Sequence, residues 1–125
     1  MTLFRKEEIA ELSNPGVVSR QFLTPDSVPE ARVTVTQVRL EPGAVQPRHV
    51  HENSEQFWYA ESGEGTLLLA DGEEQPIRPG DAARFAPGDI HGARNDGPEE
   101  FIYISVTSPP ISFEKAYTNR KKSLG

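Results

Sequence analysis

Turn-forming residues divide this chain into segments of about ten residues. The sequence of 125 residues contains 11 prolines and 10 glycines, spread along its whole length. Pro42-Gly43, Pro79-Gly80 and Pro87-Gly88 flank β-branched or aromatic runs, and Asp71-Gly72 is a strong signal for a hairpin turn. Short strands between closely spaced turns are typical of all-β sandwiches and barrels. The sequence therefore predicts an all-β fold.

The runs between these turns have the composition of β-strands. Strands are predicted over residues 32–40, 55–62, 66–70, 81–86 and 100–107. Residues 5–12 instead predict a short N-terminal helix with Ile9 and Leu12 on its apolar side. The segments 67–69 and 101–106 are apolar at most positions, which indicates strands covered on both faces. Because a barrel interior covers only one face, we expect a second layer or subunit on the other, which favours a homodimer.

Charge and composition exclude several classes of function. The formal net charge is -6, whereas a nucleic-acid partner requires a basic surface. No apolar run approaches the roughly 18 residues that a membrane span needs. The segment MTLFRKEEIAEL lacks the pattern of a secretory signal, so we expect a cytoplasmic protein with no membrane partner. The chain has no cysteine, which excludes thiolate metal sites, and Arg120-Lys121-Lys122 is expected to lie in a solvated terminus.

The three histidines of the chain are the strongest indication of chemistry. His49 and His51 are separated by one residue, so on a strand both side chains project from the same face. His91 follows the turn at Pro87-Gly88, two predicted strands later. Imidazole nitrogen is a preferred ligand of borderline divalent metals. The sequence therefore predicts that the three histidines converge on one divalent metal ion, which is Fe, Mn, Ni or Zn.

Two segments around these histidines resemble the paired motifs of the cupin family. The first reads GAVQPRHVHENSEQFWYAESG over residues 43–63, and the second reads GDAARFAPGDIHGARN over residues 80–95. The positions in register are Gly43, His49, His51, Gly63, Gly80, Gly88, His91 and Asn95. Ala86 departs from the family, which usually has proline there, but Pro87 follows at once.

The resemblance implies a double-stranded β-helix, the jelly-roll barrel of cupins. We expect a single domain over residues 1–125, with a barrel core at about 30–108. Residues 1–29 are predicted to form an N-terminal extension, and residues 109–125 are predicted to form a C-terminal tail.

The fourth metal ligand of the family is normally glutamate, and here two residues compete for its place. Counting back from Gly63 gives Gln56, and counting forward from His51 gives Glu55. Adjacent residues on a regular strand point to opposite faces, so only one of them is expected to reach the metal. We favour Gln56, which would leave the ligand set His49, His51, Gln56 and His91 without charge. Glu55 is the alternative and would resemble the ligand set of oxidising cupins.

Because side chains alternate between the two faces of a strand, Trp58 points inward if Gln56 does. Trp58 is then either a wall of the metal pocket or an ordinary core residue. Arg39, Arg48 and Arg84 would meet a carboxylate substrate only if they faced the interior, and a surface role is favoured for each. Tyr59 and Tyr103 are proton or hydrogen-bond donors only if they face the pocket. No catalytic residue is identified from the sequence.

The family hosts several functions, so the resemblance leaves three open. The leading hypothesis is a metal-dependent enzyme of isomerase, epimerase or lyase type that acts on a small polar metabolite. The second is a dioxygenase. The third is a non-catalytic domain that binds or senses a small molecule.

Overall fold

Two antiparallel β-sheets account for about half of residues 1–122, the part of the chain that the computed structural model describes. The strands are β1 (Ala10–Asn14), β2 (Val17–Leu23), β3 (Thr34–Leu40), β4 (Val45–His49), β5 (Glu55–Ser62), β6 (Gly65–Leu69), β7 (Glu74–Ile77), β8 (Ala82–Phe85), β9 (His91–Arg94), β10 (Phe101–Ser108) and β11 (Asn119–Lys122). One sheet has the order β11-β1-β2-β3-β10-β5-β8, and the other has the order β4-β9-β6-β7. The predicted all-β jelly-roll fold is confirmed.

Alternation along the strands places the core between the sheets. On β5, Gln56, Trp58 and Ala60 are 4%, 1% and 0% exposed, whereas Phe57 and Tyr59 are each 45% exposed. Period-two alternation of this kind results from a strand with one buried face. The two sheets together supply the core residues Val17, Val38, Leu40, Trp58, Ala60, Leu67, Ile77, Phe85, Ala93, Phe101 and Tyr103.

Five strands lie where the sequence predicts them. The bounds of β3, β5, β6, β8 and β10 agree with the predicted ranges to within two residues at each end. The turn at Asp71-Gly72 connects β6 to β7, which pair with each other. The structure adds β1, β2, β4, β7, β9 and β11, most of which are short or carry weak strand patterns.

The predicted helix over residues 5–12 is wrong. Only a 3-10 turn forms there, at Lys6–Glu8, and the following residues belong to β1. Strand β1 pairs with β2 on one side and with β11 on the other, and Leu12 is 2% exposed. Gly16 has φ of 75° at the turn between β1 and β2, a conformation that glycine adopts without strain. Pairing with two neighbouring strands therefore decides the structure of this segment, and the local pattern does not.

The terminal segments are integrated into the larger sheet. Strands β1 and β2 lie within residues 1–29, and β11 follows the barrel strands at the other end of the chain. The basic cluster is thus part of a strand, and Arg120 forms an ion pair with Glu114. Residues 123–125 of the predicted tail lie outside the described residues. The division into a core and two extensions stays a prediction.

Within residues 1–122, no helix has the length and apolarity that crossing a membrane requires.

Candidate metal centre

Strand pairing and one loop bring the three histidines together. His49 is the last residue of β4 and lies directly opposite His91, the first residue of β9. His51 lies two residues beyond the end of β4, so it reaches the same place from a loop and not from a strand face. The ligand atoms of the three side chains all lie within 4.8 Å of one another. This is the convergence that the sequence predicts, by a different local route.

Backbone carbonyls orient two of the three imidazoles. The Nδ1 atom of His49 lies 2.8 Å from the carbonyl oxygen of Pro47, and the Nδ1 atom of His91 lies 2.9 Å from that of Asp89. Because a carbonyl oxygen only accepts hydrogen bonds, each Nδ1 carries the proton. Each Nε2 then keeps a free lone pair, which is the state that binds a metal.

His51 has a buried nitrogen without a partner. Among the described residues, no group forms a hydrogen bond to its Nε2 atom. Burial lowers the pKa of the His51 imidazole, and the neighbouring His49 lowers it further. A buried polar atom without a partner costs free energy, and a metal ion bound to this nitrogen would remove that cost.

The side-chain amide of Gln56 is held in a single orientation. Its Nε2 atom donates to Thr107 Oγ1 at 2.8 Å, and its Oε1 atom accepts from Trp58 Nε1 at 2.8 Å. An indole nitrogen is only a donor, so the atom facing Trp58 is the amide oxygen. That oxygen lies 3.0 Å from His91 Nε2.

The contact between His91 Nε2 and Gln56 Oε1 brings two hydrogen-bond acceptors together. A neutral imidazole has one proton, and in His91 the carbonyl of Asp89 and the amide oxygen of Gln56 both require it. Burial lowers the pKa of His91 to about 4, so the doubly protonated ring is not available at neutral pH. A cation between Nε2 of His91 and Oε1 of Gln56 would remove the conflict. The donor set therefore fits a divalent metal ion.

Glu55 lies on the opposite face of β5. It forms an ion pair with Arg84 on the neighbouring strand at 2.7 Å, and the two side chains are 50% and 60% exposed. Of the two residues that compete for the fourth position, Gln56 faces the histidines and Glu55 faces outward.

A cavity of about 380 Å³ opens beside the histidines. Trp58 lines it and also packs in the core, stacked on Tyr103 with ring centroids 4.0 Å apart. Both interpretations of Trp58 therefore describe its position. We call His49, His51, Gln56 and His91 the histidine wall.

Another part of the cavity lining comes from the terminal segments of the chain, which the motifs do not reach. We call these residues the terminal wall: Asn14, Ser19, Phe113, Ala116 and Tyr117. The ring of Phe113 lies 5.9 Å from that of His51, centroid to centroid. No pattern in the sequence distinguishes these residues, since their place depends on pairing between distant strands.

The described lining of the cavity is almost free of charged side chains. It contains no aspartate or glutamate, and Arg48 is its one arginine or lysine. Arg48 is exposed, and its Nε atom donates to the carbonyl of Leu69 at 2.8 Å. Arg39 is also exposed, and neither Arg39 nor Arg84 lines the cavity. Tyr59 faces outward, whereas Tyr103 lies in the cavity wall, and burial raises the pKa of its hydroxyl well above the usual value.

Comparison with known proteins gives a consistent result. A family model described as Cupin domain matches residues 36–107. The structure of KdgF from Halomonas sp. has 25% sequence identity and a TM-score of 0.73, with 88% of this chain and 96% of that chain covered. The structure of a sugar phosphate isomerase from a cupin superfamily, from Silicibacter pomeroyi, has 30% sequence identity and a TM-score of 0.66. The match covers 75% of this chain and 60% of the isomerase chain. An uncharacterized protein of Methanocaldococcus jannaschii is 24% identical over 103 residues, 82% of either chain.

Proposed function

Since this chain belongs to the cupin domain family, we propose that it holds one divalent metal ion in the histidine wall. We further propose that it acts on a small polar metabolite as a metal-dependent enzyme of isomerase, epimerase or lyase type. The observation that carries this proposal is the convergence of three imidazoles and one fixed amide oxygen beside a cavity. A bound Fe, Mn, Ni or Zn ion supplies a Lewis acid that polarises an oxygen of the substrate. The likeness to a sugar phosphate isomerase supports this class of reaction.

The residues of the histidine wall carry no negative charge when they bind a metal. Three neutral imidazoles and an amide leave the positive charge of the ion uncompensated, which favours a substrate with a carboxylate or another electron-rich oxygen. Thr107 and Trp58 hold the amide of Gln56 so that its oxygen faces His91. This support keeps the ligand in place without rearrangement on binding.

Proton transfer in the cavity would fall to hydroxyl groups. Burial raises the pKa values of both Tyr103 and Tyr117, so at neutral pH they are protonated and act as donors. The described lining has no carboxylate that could act as a general base. That observation favours, as the second candidate function, a domain that binds or senses a small molecule without converting it.

Metal analysis tests the central part of the proposal. We expect near-stoichiometric divalent metal in the purified protein and almost none in the His49→Ala/His51→Ala variant, because two of the four ligands are lost. Equal metal content in the two proteins, both shown to be folded by circular dichroism, would contradict the metal site.

A matched pair of variants tests the fourth ligand. Gln56→Ala is expected to lower metal affinity by roughly 10- to 100-fold, whereas Glu55→Ala should leave it unchanged because that side chain faces Arg84. Competition with a chromogenic chelator measures both. The reverse order of effects would assign the ligand to Glu55.

Reaction assays separate the candidate functions. The metal-loaded protein is incubated in deuterated water with aldoses, ketoses and hydroxy acids, and NMR follows deuterium at the carbon next to the carbonyl group. Exchange at that carbon supports the enzyme. Oxygen consumption by the iron-loaded protein would support a dioxygenase, and saturable binding without conversion would support the binding domain.

The outer face of the larger sheet supports a homodimer. Phe57 and Tyr59 are each 45% exposed on β5, beside Ile104 and Val106 of β10. Exposed aromatic side chains on a paired sheet face are typical of protein interfaces. Analytical ultracentrifugation should show a dimer that dissociates in a Phe57→Lys/Tyr59→Lys variant, and a monomeric parent protein would contradict the proposal.

A further inference from the structure

The C-terminal segment crosses back over the cavity and is fixed there by Asn14. The Nδ2 atom of Asn14 donates to the carbonyl of Ala116 at 3.0 Å, and its Oδ1 atom accepts from the backbone nitrogen and the hydroxyl of Thr118 at 2.9 and 3.1 Å. Pairing of β11 with β1 continues the attachment. These bonds place Tyr117, between the two anchored residues, in the cavity lining.

Ser19 lines the cavity together with Tyr117, and its hydroxyl is held by Gln21. Gln21 Nε2 lies 3.3 Å from the carbonyl oxygen of Ser19 and 2.8 Å from its Oγ atom. The carbonyl can only accept, so this atom of Gln21 is a donor and Ser19 Oγ accepts from it. One acceptor position of the Ser19 hydroxyl is therefore occupied by Gln21.

A donor on β4 reaches the hydroxyl oxygen of Tyr117. Gln46 Nε2 donates to Tyr117 Oη at 3.2 Å. Gln46 lies three positions before His49 on β4, so this contact joins the terminal wall to the strand that carries a metal ligand. A phenol oxygen has two acceptor positions and one proton. With Gln46 as a donor to this oxygen, the proton of Tyr117 is available to an acceptor in the cavity that the side chain lines.

We propose that Tyr117 is a specificity-determining residue that donates a hydrogen bond to an oxygen of the bound molecule. In this proposal the bound molecule is a small hydroxy acid without a phosphate group. The inference rests on the proposed function, since it concerns the cavity beside the metal site. Residues 36–107 match the family, whereas Ser19, Gln21 and Tyr117 lie outside that range. The donor therefore lies outside the part of the chain that the family model matches.

The described lining of the cavity supports this class of ligand. Its hydroxyl and amide groups come from Asn14, Ser19, Thr36, Gln46, Gln56, Tyr103, Ser105 and Tyr117. Such groups complement the hydroxyls of a polyol, and the absence of acidic residues admits a carboxylate. A phosphate group normally requires arginine, lysine or a helix N-terminus. The Nε atom of Arg48 is already engaged by the carbonyl of Leu69.

Fluorescence of Trp58 provides a direct binding assay. It is the one tryptophan of the chain and lines the cavity. The metal-loaded protein is titrated with D-gluconate, and with sorbitol and 6-phosphogluconate as comparators. We expect gluconate to bind more tightly than either comparator, because sorbitol lacks the carboxylate and 6-phosphogluconate adds a phosphate.

Tyr117→Phe removes the donor and should weaken gluconate binding about tenfold, with metal content unchanged. Tyr59→Phe is the matched control, since it makes the same chemical change on the outer face, and it should bind gluconate as the parent does. Equal gluconate affinity of the Tyr117→Phe variant and the parent would overturn the role of Tyr117. Absent gluconate binding, or tighter binding of either comparator, by protein that holds its metal would overturn the ligand class. A protein that holds no metal would instead contradict the proposed function, so metal analysis distinguishes the two failures.

Discussion

Three residues of the histidine wall, His49, His51 and Gln56, line the same cavity as the terminal wall. The two walls satisfy their polar atoms differently. In the histidine wall, His51 Nε2 has no partner among the described residues, and the lone pairs of His91 and Gln56 face each other. In the terminal wall, Asn14 and Tyr117 make hydrogen bonds with other parts of the chain. Lone-pair atoms without hydrogen-bond partners, as in the histidine wall, indicate a site for a bound ion. Polar groups that are hydrogen-bonded to other parts of the chain, as in the terminal wall, indicate a rigid surface that positions a ligand.

The comparison predicts that substitutions near the histidine wall lower metal affinity, whereas substitutions in the terminal wall leave the metal stoichiometry unchanged. Gly92→Ala should have the largest effect. A β-carbon at Gly92 would lie 2.6 Å from the carbonyl oxygen of Gln46 and 2.9 Å from the backbone nitrogen of Arg48. Separating β9 from β4 displaces His91 from His49, so we expect metal affinity to fall tenfold or more and stability to fall by about 3 kcal/mol.

Chelator competition and urea unfolding measure these two quantities. Gly97→Ala is the control, because its β-carbon would make only ordinary contacts, the shortest of them 3.5 Å. If Gly92→Ala binds metal as the parent does, the strand pairing does not set the geometry of the site.

Thr107→Val should have the next largest effect. It leaves the buried Nε2 atom of Gln56 without its acceptor at 2.8 Å. We expect about tenfold weaker metal binding and a loss of about 1–2 kcal/mol in unfolding free energy. Thr107→Ser keeps the hydroxyl and should retain the affinity, as measured by isothermal titration with the metal.

Asn14→Ala tests the terminal wall. It removes three hydrogen bonds that hold the segment around Ala116 and Thr118, and the unfolding free energy should fall by about 1 kcal/mol. Metal stoichiometry should be unchanged, while removal of the metal by EDTA becomes faster, because Phe113 is held less firmly against His51. Loss of metal itself in this variant would show that the two walls are not independent.

Arg84→Gln should have the smallest effect. The Glu55–Arg84 pair is exposed on the outer face of β5, and pairs of this kind contribute about 0–1 kcal/mol. Metal affinity should be unchanged, and thermal unfolding should shift only slightly. A marked change in metal binding would mean that Glu55 influences the site through the strand.

The sequence by itself determined the all-β fold, five of the strands and the convergence of the histidines. These depend on local patterns: turn residues between β-branched runs, alternation along β5, and the spacing of the two motifs. A pattern that repeats every second residue fixes which side chains share a face, so the alternation alone places Gln56 and Trp58 on the same side of their strand.

Only the tertiary structure decided the ends of the chain and the wall that they build. Residues 10–14 form a strand and not a helix because β2 and β11 pair with them, and β11 lies far away in the sequence. Tyr117 meets Gln46, and lines the cavity together with Ser19, through the same long-range pairing. A contact of this kind depends on where two distant segments meet, and no local preference of either segment encodes that position.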